Sequence, residues 1–283
     1  MIELVGIIGG GIMGAGIAEV AARSGCDVVL REVDMPAVEA AERRLTASLD
    51  KAVRNGKLEA EERDVILKRV RFTDSLDELA DCDLITEAAI ENEKAKTAIF
   101  SALGEVVRPD ALLTSNTSSI PIMKLAAATP NPERVLGMHF FNPAPVLPLV
   151  EVIPCELTSV ESVERVQEFA HGKLGKTIIA AKDRAGFVVN ALLIPYLLSA
   201  IRMVDAGLAS AEDIDTGMVA GCAHPMGPLA LADLIGLDTT AAVAVSMYEE
   251  TKEQLYAPPA LLLRKVEAGD LGRKTGRGFF SYR

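Results

Sequence analysis

The 283 residues contain no tryptophan, three histidines and four cysteines, and aromatic side chains make up 4% of the chain. Each scarcity excludes something. Cys26, Cys82, Cys155 and Cys222 are too few and too scattered for a disulfide framework, and neither a C-x-x-C pair nor a nearby His gives metal-ligand spacing. A reduced protein without a metal site is expected. Positive charge is also short. Lys and Arg number 29 against 40 Asp and Glu, a net charge of −11, which argues against general nucleic-acid binding. No basic leader is visible, since Met1-Ile2-Glu3 runs directly into an apolar strand. Cytoplasmic residence is the expectation. The stretch 187–204 is apolar enough to raise the membrane question, but Asn190, Pro195, Ser199 and Arg202 interrupt it and no second span accompanies it. A buried core helix and no membrane partner are therefore expected. With 49% apolar residues the chain is not disordered and can fill the cores of one or two domains.

What is present alternates in period. Apolar runs at 2–8 and 27–31 flank a helical pattern at 12–23, which makes a βαβ unit of the kind found in parallel sheets. Asp34 before Pro36 caps a long helix to about Val53, and after Asn55-Gly56 a second helix runs to about Arg69. This hairpin, residues 35–69, is read as an insertion. Further strands are expected at 70–72, 83–86, 112–115, 135–139, 149–153 and 177–181, with helices at 93–107 and 159–171. From Gly186 the pattern turns helical, at 186–206, 211–220, 228–235, 237–251 and 259–268, with no strand until the last residues. The expected architecture is α/β: a Rossmann-type, mostly parallel sheet domain over 1–184 with the helical hairpin, then an all-helical domain over 185–283.

Between the first strand and helix stands Gly9-Gly10-Gly11-Ile12-Met13-Gly14. In such a G-x-G-x-x-G turn Gly9 permits the tight bend, Gly11 lets a pyrophosphate approach the backbone, and Gly14 lets helix and strand pack closely. The helix N-terminus adds free N–H groups and the positive end of a dipole. Glu32 ends the second strand 18 positions after Gly14, close to the spacing of about 20 for a ribose-binding carboxylate. A carboxylate there accepts from ribose hydroxyls and repels a 2′-phosphate, which favours NAD over NADP. Arg31 beside it complicates the choice, because a guanidinium neutralises a phosphate; a solvated strand-end charge is its other reading.

Of the three histidines, His171 reads as a surface residue and His224 as part of an inter-helix turn. His139 closes a strand and faces the crevice where doubly wound sheets bind ligands. Glu151 opens the next strand beyond Pro143, Pro145 and Pro148. If the two strands are neighbours, about 4.8 Å apart, imidazole and carboxylate meet. The pair then reads either as a general base with its orienting acid, suited to removing an alcohol proton as hydride leaves carbon, or as unrelated packed residues. Ser115-Asn116-Thr117-Ser118-Ser119 follows a strand. Its hydroxyls suit a substrate oxygen or a nicotinamide amide, and Ser119 alternatively caps the following helix. Asn190, polar within an apolar helix, needs a partner, either structural or a substrate.

Together these residues resemble the L-3-hydroxyacyl-CoA dehydrogenase family, and within it the bacterial 3-hydroxybutyryl-CoA dehydrogenases most closely. The matching stretches are 9–16, 87–92, 115–119, 137–145, 149–153, 186–190, 225–228 and 272–279, spread over nearly the whole chain. The resemblance implies that His139 is the catalytic base and Glu151 its partner, with Ser118 and Asn190 bonding the reacting part of the acyl group. It implies an NAD site of Gly9, Gly11, Gly14, Glu32, Glu91, Lys96, Ser118, Asn142 and Lys274. It also implies an acyl-CoA thioester partner, with the CoA falling on the hairpin. There five cations, Arg43, Arg44, Lys51, Arg54 and Lys57, face one anion, Asp50. Ser48 and Lys51 match family positions for CoA, and Arg54 and Lys57 extend the patch; a solvated amphipathic hairpin is the other reading. A homodimer is implied as well.

Two departures stand out. The ribose position usually holds Asp, and Glu32 is one methylene longer. Pro148 stands where near members often carry Lys. Two rivals remain on sequence grounds. One is an NAD-dependent dehydrogenase of a free hydroxy acid, resembling L-gulonate dehydrogenase, against which Phe140-Phe141-Asn142 and the basic hairpin speak. The other is a dinucleotide-binding structural or sensor protein without catalysis, against which the presence of His139, Glu151, Ser118 and Asn190 speaks.

Overall fold

The computed structural model describes residues 2–282, and the chain divides between Asp183 and Arg184 into two compact units. In the first, strands β1 (Leu4–Ile8), β2 (Asp27–Arg31), β3 (Val70–Thr73), β4 (Leu84–Glu87), β5 (Leu112–Ser115), β6 (Val135–Phe140), β7 (Leu149–Pro154) and β8 (Thr177–Ala180) form one sheet in the order β3-β2-β1-β4-β5-β6-β7-β8. Strands β1 to β6 are parallel, and β7 and β8 run against them. Every residue of β4, β5 and β6 is buried, as expected of parallel strands covered on both faces, including the polar Thr86, Glu87, Thr114, Ser115 and His139 toward their C-terminal ends. Strand order reverses between β1 and β4, so the crevice beyond their C-terminal ends is where such a sheet takes a ligand.

Helix α1 (Ile12–Arg23) enters from that crevice. The hairpin is α2 (Met35–Arg54) and α3 (Ala60–Lys68). Asp34 Oδ1 accepts from the Ala37 amide at 2.9 Å, the cap expected for α2. Val38, Ala41, Leu45 and Leu49 share one buried face of α2, the last three packing in the core with Ile17, Ala18 and Leu30, which leaves the opposite face in solvent. Helix α4 (Glu93–Val106) precedes β5, and α6 (Val160–Glu168) lies between β7 and β8. The helix expected to reach His171 stops at Glu168 and widens into a π-helical turn over Phe169–Lys173.

One local alternative fails. The helix that follows Ser119 is the short α5 (Ile122–Ala126), and Ser119 does not cap it. Asp183 does, its carboxylate accepting from the Ile122 and Met123 amides at 2.7 and 2.8 Å, while the Ser119 hydroxyl turns to Glu91.

The second unit holds α7 (Val189–Asp205), α8 (Ala211–Cys222), α9 (Pro228–Ile235), α10 (Leu237–Thr251) and α11 (Ala260–Glu267). Its core gathers Leu197, Leu198, Ile201, Leu229, Leu237, Met247 and Leu262. Helix α7 begins three residues later than expected, because Gly186 (φ +79°) and Phe187 (φ +47°) are left-handed. Glycine adopts this positive φ without strain, and a Cβ at Gly186 would also meet the flexible end of the Met247 side chain at 2.4 Å. Asn190 therefore sits half-buried in the first turn of α7, not in the interior of a helix. Near the C-terminus the expected strand is replaced by isolated bridges, Gly272 with Arg277 and Arg277 with Ser281, anchored on buried Asp233, which accepts from the Phe279 and Phe280 amides at 2.9 Å. Among the described residues no single helix is long and apolar enough to cross a membrane; α9 and α10 pass that test only as a pair, bent by 95°.

Candidate active site

The glycine turn closes as its spacing requires. Gly9 has φ +92°, and a Cβ on Gly14 would fall 1.7 Å from the Gly9 carbonyl oxygen. Gly11 differs: no described atom lies within 4 Å of where its Cβ would stand, so space is kept at the mouth of α1. Among the described residues no side chain caps α1 and no acidic residue stands in its first turn, which leaves its amides available to an anion. Gly10, to which the sequence pattern assigns no role, is also constrained, since its Cβ would meet that of Ala41 at 2.2 Å.

Glu32 reaches back to this turn. One carboxylate oxygen accepts from the Gly10 amide at 2.6 Å and the other from the Val33 amide at 2.9 Å. The extra methylene that separates Glu from Asp gives the reach to Gly10. A carboxylate offers about four acceptor positions, so two amides leave room for ribose hydroxyls. Arg31 directs Nε to the Asp74 carbonyl at 3.3 Å. Arg44 of α2 donates to the Gly10 carbonyl at 3.0 Å and so braces the turn from the hairpin.

Across the antiparallel β6–β7 pair His139 stands directly opposite Glu151. Nδ1 lies 2.7 Å from Oε2, with the imidazole 4% exposed and the carboxyl 0%. A carboxylate only accepts, so Nδ1 carries the ring proton and the Nε2 lone pair faces away from Glu151. The Ser118 hydroxyl is 3.1 Å from Nε2, and the Phe141 ring meets the imidazole edge-on with centroids 4.7 Å apart. Two residues along the same face, Gly137 opposes Ile153, whose Cβ would be 2.9 Å from a Cβ on Gly137. The strands come this close only because that position is glycine.

The loop after β5 is tied down densely. Asn116 Oδ1 accepts from the Phe140 amide at 2.8 Å, linking it to the end of β6. Glu91 Oε1 accepts from the Thr117 hydroxyl, the Ser118 amide and the Ser119 hydroxyl at 2.5, 3.1 and 3.2 Å. Lys96 is buried beneath, 2.6 Å from Glu87 and 3.3 Å from Glu91. Neither Glu87 nor Asn116 was singled out from sequence. Lys176, also missed, is buried and donates to the Ala144 and Leu147 carbonyls at 2.7 and 2.8 Å, holding the β6–β7 connection that begins with exposed Asn142. Burial pulls its ammonium pKa down.

The remaining predicted residues are placed as follows. Ser48 and Lys51 lie three residues apart on the exposed face of α2, with Arg54 at its last position and Lys57 just beyond. Asp50 is held by Arg63 at 3.0 Å and Arg43 by Glu39 at 3.5 Å, whereas no described carboxylate is within ion-pair distance of Lys51, Arg54 or Lys57. In the second unit Asn190 opens α7, and Lys274 pairs with Asp238 at 2.6 Å. Among the described residues no group of three or more His, Cys, Asp or Glu is arranged to hold a metal ion.

Comparison with known proteins agrees over the full length. The model of the 3-hydroxyacyl-CoA dehydrogenase NAD binding domain matches residues 4–184, and that of the 3-hydroxyacyl-CoA dehydrogenase C-terminal domain matches residues 186–282. The chain is 55% identical to a 3-hydroxybutyryl-CoA dehydrogenase of Mycobacterium tuberculosis over 282 residues, 99% of each sequence. It is 39% identical to the human mitochondrial hydroxyacyl-coenzyme A dehydrogenase, covering 100% of this chain and 92% of that one. The crystal structure of (S)-3-hydroxybutyryl-CoA dehydrogenase from Ralstonia eutropha is 43% identical with a TM-score of 0.92, and 100% of both chains is covered.

Proposed function

The chain belongs to the 3-hydroxyacyl-CoA dehydrogenase family, and from that premise we propose that it reversibly oxidises the C3 alcohol of a short-chain (S)-3-hydroxyacyl-CoA to the 3-oxo thioester, with NAD as cofactor. The observation that carries the proposal is the line Glu151–His139–Ser118, with contacts of 2.7 and 3.1 Å at the two ring nitrogens.

The residues present fit the cofactor. The open space at Gly11, the amides of α1 and the carboxylate of Glu32 suit a pyrophosphate and a ribose without a 2′-phosphate. Bound NAD supplies the hydride acceptor. Nε2 of His139 takes the hydroxyl proton as the alcohol is oxidised and returns it in the reverse direction. Glu151 holds the ring tautomer and stabilises the imidazolium, and it does so from a buried position where a charge–charge contact is weakly screened. Ser118 and Asn190 orient the acyl group. Glu91, Lys96, Asn142 and Lys274 complete the NAD site, and Ser48, Lys51, Arg54 and Lys57 receive the CoA phosphates.

The same reading makes the protein a cytoplasmic enzyme of fatty-acid metabolism and a homodimer. Apolar side chains left in solvent by the helical unit, Leu192 at 74% and Leu208 at 72% exposure, support association. Sedimentation equilibrium showing only a species of monomer mass would reject the dimer.

The test of function is loss of NADH absorbance on adding acetoacetyl-CoA, run beside L-gulonate with NAD and repeated with His139→Asn. Turnover of acetoacetyl-CoA that collapses in the variant is expected. Turnover of L-gulonate alone, or NADH binding with no turnover at all, overturns the proposal.

A further inference from the structure

Beneath the loop that carries Ser118 lies an ion pair in which Lys96, assigned above to the NAD site, meets Glu87, a residue to which the chemistry above gives no role. Glu87, the last residue of β4, is 0% exposed, and Lys96, on α4, is 1% exposed. Removing two charges from water costs more than a surface pair returns, and an apolar pair of the same volume packs at least as well. Stability alone therefore does not explain the pair, and its connections suggest what does.

Glu87 reaches Ser118 by two routes. On the first, Glu87 Oε2 accepts from the Ser115 hydroxyl at 2.6 Å, and that oxygen accepts from the Thr117 amide at 3.2 Å. Strand register sets Glu87 beside Ser115, so this link is built into the sheet. On the second, Glu87 Oε1 holds the Lys96 ammonium at 2.6 Å. Lys96 holds Glu91 at 3.3 Å, and Glu91 accepts from the Ser118 amide at 3.1 Å. Both routes end on the backbone of residues 117–118. From there the Ser118 hydroxyl stands 3.1 Å from Nε2 of His139. Residues 116–118 belong to no helix or strand, so without such ties their position would drift. Glu87 itself is held in the ladder between β1 and β5.

We propose that Glu87 is a positioning residue for the reaction, fixing the Ser118 hydroxyl against His139 through Ser115 and through the Lys96–Glu91 bridge. This rests on the reading of His139 as base toward a 3-hydroxyacyl thioester. Glu87→Gln preserves shape but removes the charge that holds Lys96, which then turns wholly to Glu91 and pulls on the amide of Ser118.

The experiment is a double-mutant cycle on the full chain, with acetoacetyl-CoA and NADH as substrates: wild type, Glu87→Gln, Ser118→Ala and both together. Glu87→Gln is expected to lower kcat by at least about tenfold, since misplacement of catalytic groups by about 1 Å costs on the order of 10². NADH affinity, which Lys96 and Glu91 also serve, is expected to weaken by less than kcat falls. In the Ser118→Ala background the same change is expected to cost nothing further, because the group it acts through is gone. Ser115→Ala cuts one route while sparing the ion pair, and it carries the cycle if Glu87→Gln does not fold. Losses that multiply, an unchanged kcat, or a loss confined to NADH affinity overturn the positioning role. A wild type that binds NADH without turnover overturns the reading of the reaction and the positioning role with it, so the two failures are distinguishable.

Discussion

His139 and Glu151 are 12 residues apart in the chain and face each other across two antiparallel strands, Nδ1 to Oε2, at 2.7 Å. The contact dictates which nitrogen is the base. Glu151→Gln keeps the size but offers an amide donor, which favours the wrong imidazole tautomer and removes the charge that stabilises the imidazolium. We expect kcat to fall by about 10²–10⁴, the range of general-base contributions, with the KM values nearly unchanged. Steady-state kinetics in both directions check this. A kcat indistinguishable from wild type would remove the pair from the chemistry.

The glycine turn separates cofactor binding from folding. Gly11→Ala adds a methyl where no described atom lies within 4 Å, so the melting temperature should hardly move, whereas the pyrophosphate loses its close approach. A loss of roughly 1.4 kcal/mol corresponds to a tenfold weaker NADH affinity, the least we expect from fluorescence titration. Gly14→Ala instead drives a methyl to 1.7 Å from the Gly9 carbonyl, and should lower the melting temperature before any binding is measured. Equal effects of the two changes would contradict this division of labour.

The sheet was legible because buried parallel strands are apolar runs punctuated by glycine, and the His–Glu pair because strand-end chemistry points into the crevice. What escaped depends on distant partners. Helix α5 is five residues long, too short for a period, and its cap comes from Asp183, 61 positions beyond Ile122. The place of Asn190 follows from the left-handed backbone of Gly186 and Phe187, which no periodic pattern announces. Gly10 needs to be glycine because of Ala41 on another helix. Glu87 was given no role and Lys96 was assigned only to the NAD site, since nothing local marks the two as a buried ion pair.

The hairpin assignment predicts a difference between two substrates. Lys51 and Arg54 lie exposed on α2 with no described carboxylate near, so they are available to a phosphate. Lys51→Ala should raise the KM for acetoacetyl-CoA about tenfold, the worth of a charge-assisted contact, and leave S-acetoacetylpantetheine unaffected because it lacks the adenosine phosphates. The gap should narrow as salt is added. Equal losses on both substrates would put Lys51 elsewhere in the mechanism.

A final expectation concerns acid stability. The Asp83 carboxylate accepts from the Glu3 and Leu4 amides at 2.7 and 2.9 Å and pairs with the Arg108 guanidinium, pinning the start of β1 beside β4. Partial burial pushes its pKa up, but the Leu4 and Glu3 amides and Arg108 together outweigh this and hold it below the ordinary value of 3.8. The sign of the linkage follows. A carboxyl whose folded pKa lies below its unfolded one stabilises fully above pH 3.8, and the contribution is lost as pH falls through the folded value. Asp83→Asn keeps one acceptor oxygen but not the charge, so near neutrality it should cost about 1–3 kcal/mol in urea unfolding. That cost should shrink as the pH is taken below 3.8, because wild type then loses the same charge. A cost that stays constant with pH would mean that Asp83 acts through shape alone.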